Sequence, residues 1–145
     1  MQKIQYSGTI LAVILRSSFN EQGIHFLTPD SFSQQLGYMQ RPQGYVILPH
    51  DHNPVSRTVE LTQEVLFIKR GKVRLDLYAP ETREYFESHI LHAGDVVLLA
   101  HGGHGFLMLE PSEIIEVKQG PYAGDADKSR FPPVGEQSIT IKGHS

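Results

Sequence analysis

Cysteine is absent from the 145 residues, which removes disulfide staples, thiolate metal ligands and thiol nucleophiles from consideration. A long apolar run is missing too. The stretch Ile10 to Leu15 is far too short to span a bilayer. With only Lys3 before it and no small-residue cleavage site after it, it is a poor secretion signal. The reading that follows is a cytoplasmic protein with no membrane partner. Nor is there an excess of one charge: the formal balance is −3, with both signs mixed along the chain. No basic stripe exists to hold a phosphate backbone, so nucleic acid is not an expected partner. Long helical periodicity is also lacking.

What is present is an ordinary globular composition, with 39% hydrophobic and 20% charged residues. The length suits one domain, expected to cover 1–145, with 120–145 as a C-terminal arm. Short apolar runs recur roughly every ten residues between Gly, Pro, Asp and Asn, the pattern of a sandwich or barrel. Strands are expected near Thr9–Arg16, Gly44–Leu48, Glu64–Lys69, Val73–Tyr78, Glu84–Leu91, Asp95–Leu99, Gly105–Leu109 and Ile114–Lys118. Shorter ones are expected near Gly23–Phe26 and Thr58–Leu61, with one helical turn within Asp30–Leu36.

Gly71 signals a hairpin between its flanking runs. Val73, Leu75 and Leu77 alternate with Arg74, Asp76 and Tyr78, which predicts one buried face and one wetter face. Strands of this number and length hide their edges by closing into a barrel or jelly roll. After Gly120 the prolines and glycines break regular structure, and Ile139–Ile141 is a candidate edge strand.

Histidine is over-represented, with eight in the chain. In a strand, His50 and His52 would share a face and reach one ion about 2 Å from each ring nitrogen. Glu64 puts a carboxylate at the mouth of an apolar strand, where a cation would compensate its burial. His104 follows two glycines at the start of another strand, and His101 lies in the turn before it. His25, His89 and His92 read as surface or satisfied core histidines, and His144 as solvated.

These residues resemble the cupin superfamily, and more particularly its small single-domain metal-binding members. Gly44, His50, His52, Glu64 and Gly71 match the first cupin motif, including its five-residue and six-residue spacings. Gly94, Gly102 and His104 match the second in type. Two departures stand out. Eleven residues separate His52 from Glu64, which makes Glu60 a rival ligand. Ala100 replaces a proline in a second motif one residue short, which makes His101 a rival to His104.

The resemblance implies an all-β double-stranded β-helix, or jelly-roll barrel, and a homodimer in which Thr9–Arg16 is the candidate interface strand. It also implies one divalent transition metal (Fe, Mn, Zn, Ni, Co or Cu) on His50, His52, Glu64 and His104. Such a ligand set suits borderline ions. Gln35, Tyr38, Arg57, Phe67 and Met108 are candidate substrate-binding residues, with Arg41 and Phe106 nearby. The expected function is a metal-dependent oxygenase or isomerase acting on a small polar molecule. The alternatives are a non-catalytic sensing or binding module and a metal-free sugar-nucleotide epimerase or ketoisomerase.

Overall fold

The structure is a computed structural model describing residues 1–143, so His144 lies outside the described residues. It is all-β. The described residues form ten strands, β1 (Gln2–Tyr6), β2 (Thr9–Leu15), β3 (Gly23–Phe26), β4 (Gly37–Gln40), β5 (Glu64–Arg70), β6 (Lys72–Tyr78), β7 (Tyr85–His92), β8 (Val96–Leu99), β9 (Gly103–Met108) and β10 (Glu113–Lys118). Among the described residues no helix is long and apolar enough to cross a membrane.

The strands form antiparallel sheets in the orders β1-β2-β8-β5-β10, β7-β6-β9 and β3-β4. The two larger sheets share one core. Ile4, Leu11, Ile14, Leu66, Ile68, Val97 and Leu99 of the first pack with Val73, Leu75, Leu77 and Leu91 of the second. Leu66 and Ile68, Val97 and Leu99, and Val73, Leu75 and Leu77 recur at every second position, so each sheet turns one apolar face towards the other. A satellite cluster of Val13, Leu15, Leu27, Leu98 and Ala100 lies on the other face of the first sheet, under Phe19 and Tyr38.

Between β5 and β10 the chain passes repeatedly from one sheet to the other. The expected hairpin at Gly71 therefore does not form: β5 and β6 belong to different sheets. Gly71 has φ +90°, and a side chain there would collide with Ser112 and the Pro111 carbonyl. The turn redirects the chain out of the sheet plane, against a packed neighbour.

A true two-residue hairpin sits at Ser7-Gly8, where both residues have positive φ, as the right-handed strand twist favours. It pairs β1, which the sequence reading missed, with β2. Since β2 has β1 on one side and β8 on the other, Thr9–Arg16 is an interior strand and not a free interface edge.

Three other expectations change. Gly44–Leu48 and Thr58–Leu61 are not strands, and residues 42–62 are all exposed. Asp30–Leu36 holds turns and bends without a helix. The outer face of β6 is dry: Arg74 and Asp76 are buried there. Arg74 bonds both oxygens of Asp76 and, through Nη1 and Nη2, both oxygens of Glu136 in the C-terminal arm. Ser88 Oγ donates to Asp76, and Ile141 bridges to Ser88 in parallel. The arm thus runs back beside the sheet and covers charges that alternation alone assigns to water.

Candidate functional site

Glu64 opens β5 and pairs with Leu99 of β8, so it shares the inner face carrying Leu66 and Ile68. His104 lies on β9 opposite Leu77 of β6, on the inner face carrying Leu75 and Phe106. Two facing sheets therefore aim a carboxylate and an imidazole at the same point. Glu64 Oε2 and His104 Nε2 are 3.2 Å apart, with the side chains 14% and 31% exposed.

The hydrogen bond from His104 holds the Glu64 carboxyl below the usual carboxylate range, against the effect of burial. The charges of His104, Lys118 and Lys128 act in the same direction. The pair stands in a cavity of about 470 Å³, lined also by Tyr78, Lys128, Arg130 and Phe131. That volume suits a small molecule.

Several lining residues come from the arm, which the sequence reading did not place near the site. Phe131 packs edge-on against Tyr78, with ring centroids 5.0 Å apart. The Tyr78 hydroxyl accepts the Val134 N–H at 3.2 Å, leaving its own proton available. The Asp125–Lys128 run is charged, and nothing local announces its return to the sandwich.

His50 and His52 stand elsewhere. Their rings meet edge to face, with centroids 5.4 Å apart, in the exposed segment, and His50 Nδ1 lies 3.0 Å from the Leu48 carbonyl oxygen. Among the described residues no group of three or more His, Asp or Glu side chains converges as a metal site. The structure of the single chain brings together Glu64 and His104 and leaves His50 and His52 apart from them. The rivals Glu60 and His101 line a second cavity of about 470 Å³, with Phe32 and Gln63.

The candidate substrate residues are dispersed. Gln35 is held by Thr28 and the Pro29 and Phe32 carbonyls. Tyr38 packs edge-on against Phe19. Arg57 is exposed and bonds the Val55 carbonyl. Phe67 alternates with the inward Leu66 and Ile68, and so takes the outer face. Met108 shares the His104 face but lies four residues further along β9. Among the described residues none of these five lines the Glu64–His104 cavity. Arg41 stacks its guanidinium on the exposed Tyr45 ring at 4.5 Å.

Of the other histidines, His25 bonds the Gln22 carbonyl, and His89 is buried against Glu87 at 2.8 Å.

What the pair can do follows from its donor set. Two ligand atoms at right angles about 2.1 Å from one ion are about 3.0 Å apart, close to the separation seen. An imidazole beside a carboxylate is equally a proton-transfer couple. No family model, no curated protein and no solved structure matches this chain.

Proposed function

We propose that the Glu64–His104 cavity is the active site of a metal-dependent enzyme acting on a small polar molecule, by isomerisation or oxygenation, in a cupin-like jelly roll. The observation carrying this reading is the 3.2 Å approach of a carboxylate and an imidazole from opposite sheets. Glu64 and His104 would hold a divalent ion together with His50 and His52. A bound ion supplies Lewis acidity towards substrate oxygens.

The protein groups supply binding and orientation. Lys128 and Arg130 stand in the cavity with Glu64 and Asp127, so both signs of charge are offered to a small polar substrate. Tyr78, held by the Val134 N–H at its hydroxyl, is a fixed part of the cavity wall. Phe131 and Tyr78, packed edge-on, form an aromatic side of the cavity.

A second reading is favoured by the same pair. As a metal-free couple, Glu64 would orient and charge-stabilise His104, and His104 would move a proton at its Nε2, as an epimerase or ketoisomerase requires.

The deciding experiment is elemental mass spectrometry of protein made without a histidine tag or chelators. Near-stoichiometric transition metal, lost in Glu64→Gln and His104→Ala but kept in His101→Ala, supports the metal enzyme. No metal after reconstitution removes that reading and leaves the metal-free couple.

A further inference from the structure

We infer that segment 42–62 is exchanged between two copies of this chain, and that His50 and His52 of one copy complete the Glu64–His104 site of the other. The inference rests on the metal reading above for its functional meaning, but its structural basis is separate.

The first observation is the segment. Tyr45, Val46, Ile47, Leu48, Val55, Val59 and Leu61 are all large, apolar and exposed. Its core, Tyr45-Val46-Ile47-Leu48, is aromatic and branched, with strong strand preference. Within residues 42–61 its hydrogen bonds, from Tyr45 to Pro42, His50 to Leu48 and Arg57 to Val55, are all local, and at the segment's end Thr62 Oγ1 donates to Asp127. Such a stretch has the composition of a strand and lacks a strand beside it.

The second observation is the receptor. In the three-stranded sheet, the β7 edge carries the bridge to Ile141, with hydrogen bonds from Ser88 N–H to Thr140 and from Lys142 N–H to Ser88. Among the described residues β9 has a strand on one side only. Leu107, Met108 and Leu109 are exposed along it. An unpaired strand edge with exposed apolar residues at one end is a template for strand addition.

The third observation is the chemistry. β9 carries His104 on its inner face. A strand laid beside β9 with its alternate residues inward brings a His-x-His pair to the same face as His104. The single chain holds half a ligand set at the cavity and the other half on the unpaired segment. Each copy has one donor segment and one acceptor edge, so the exchange closes at two copies when it is reciprocal.

Complementation in a heterodimer tests this. H50A/H52A and E64Q/H104A chains are co-expressed with two different non-histidine affinity tags, and the mixed dimer is isolated through both. Exchange predicts that each variant alone loses its metal, whereas the mixed dimer regains about one ion, because one of its two sites is wild type throughout.

A mixed dimer that stays empty beside a metal-loaded wild type overturns the exchange and leaves the metal site intact within each chain. A wild-type protein that is monomeric by light scattering overturns it as well. If the wild type binds no metal, the metal reading falls and the apo protein decides. There, a dimer dissociated by V46D/L48D supports exchange, and a dimer indifferent to V46D/L48D overturns it.

Discussion

Glu64 and His104 are forty residues apart in sequence and stand on opposite sheets, yet Oε2 and Nε2 lie within 3.2 Å. Neither inner face would ordinarily end in a polar group. Beyond Leu66 and Ile68 on one side, and Leu75 and Leu77 on the other, the core closes on this pair. Their approach bears on stability as well as on ligand binding.

If the pair holds an ion, chelation should lower stability, and the effect should vanish with the ligands. At metal concentrations about a hundredfold above Kd, binding stabilises the folded state by roughly 2.7 kcal/mol. Wild-type protein should therefore unfold at distinctly lower urea after a chelator is added. His104→Ala should show no such difference. A chelator effect of equal size in His104→Ala would place the ion elsewhere.

Asp95 should be the costliest carboxylate to remove. It is 2% exposed and accepts hydrogen bonds from Arg16 Nη1, the Ser17 N–H and the His92 N–H, at 2.8 to 3.0 Å. Asp95→Ala strands the part-buried Arg16 and two backbone donors, an effect of about 3 kcal/mol. Urea denaturation measures it; a loss below about 1 kcal/mol would mean that water replaces the carboxylate.

Asp95 also sets a pH dependence. Burial alone would raise its pKa, but the His92 and Ser17 backbone donors and Arg16 outweigh burial and lower it. A lowered folded pKa gives stability that is complete above the unfolded value of about 3.9 and is lost as pH falls through the folded one. Between pH about 5 and 2 the wild type should lose stability more steeply than Asp95→Asn. Parallel profiles would remove Asp95 from the acid response.

The C-terminal arm should loosen without the sandwich unfolding when its ion pair is cut. Glu136 caps the buried Arg74 from outside, and that contact holds the Glu136 carboxyl below its usual range. In Glu136→Ala, amide exchange should accelerate at Ser88 and Lys142, whose N–H groups form the arm's ladder. Exchange at Leu75 and Val97 should hold. Arg74→Ala is more severe, since Asp76 is then buried without its cation: about 3 kcal/mol of global stability.

Gly71 and Gly44 should respond differently to alanine. Both have positive φ, but only at Gly71 does an added side chain meet packed atoms. Gly71→Ala combines left-handed strain with a steric clash, about 3 kcal/mol together. Gly44→Ala carries the backbone strain alone, about 1 kcal/mol. Equal losses in thermal unfolding would contradict the packing at the Ser112 turn.

Alternation and turn residues are local signals, so the all-β class and the places of most strands are legible in the chain alone. Glu64 and His104 stand out there together with His50 and His52, since imidazoles and a carboxylate beside apolar runs are conspicuous without any partner in view. Which faces meet depends on packing between distant segments. That packing moved Gly71 from a hairpin to a crossing between sheets and brought Tyr78, Lys128 and Phe131 to the cavity. It also placed the alternating charges Arg74 and Asp76 under the returning arm. Gly44–Leu48 shows the same limit from the other side. Branched and aromatic residues give it the preference for a strand, but a strand forms only where another edge receives its hydrogen bonds. Pairing partners lie tens of residues away or on another molecule, and a local pattern carries no record of them.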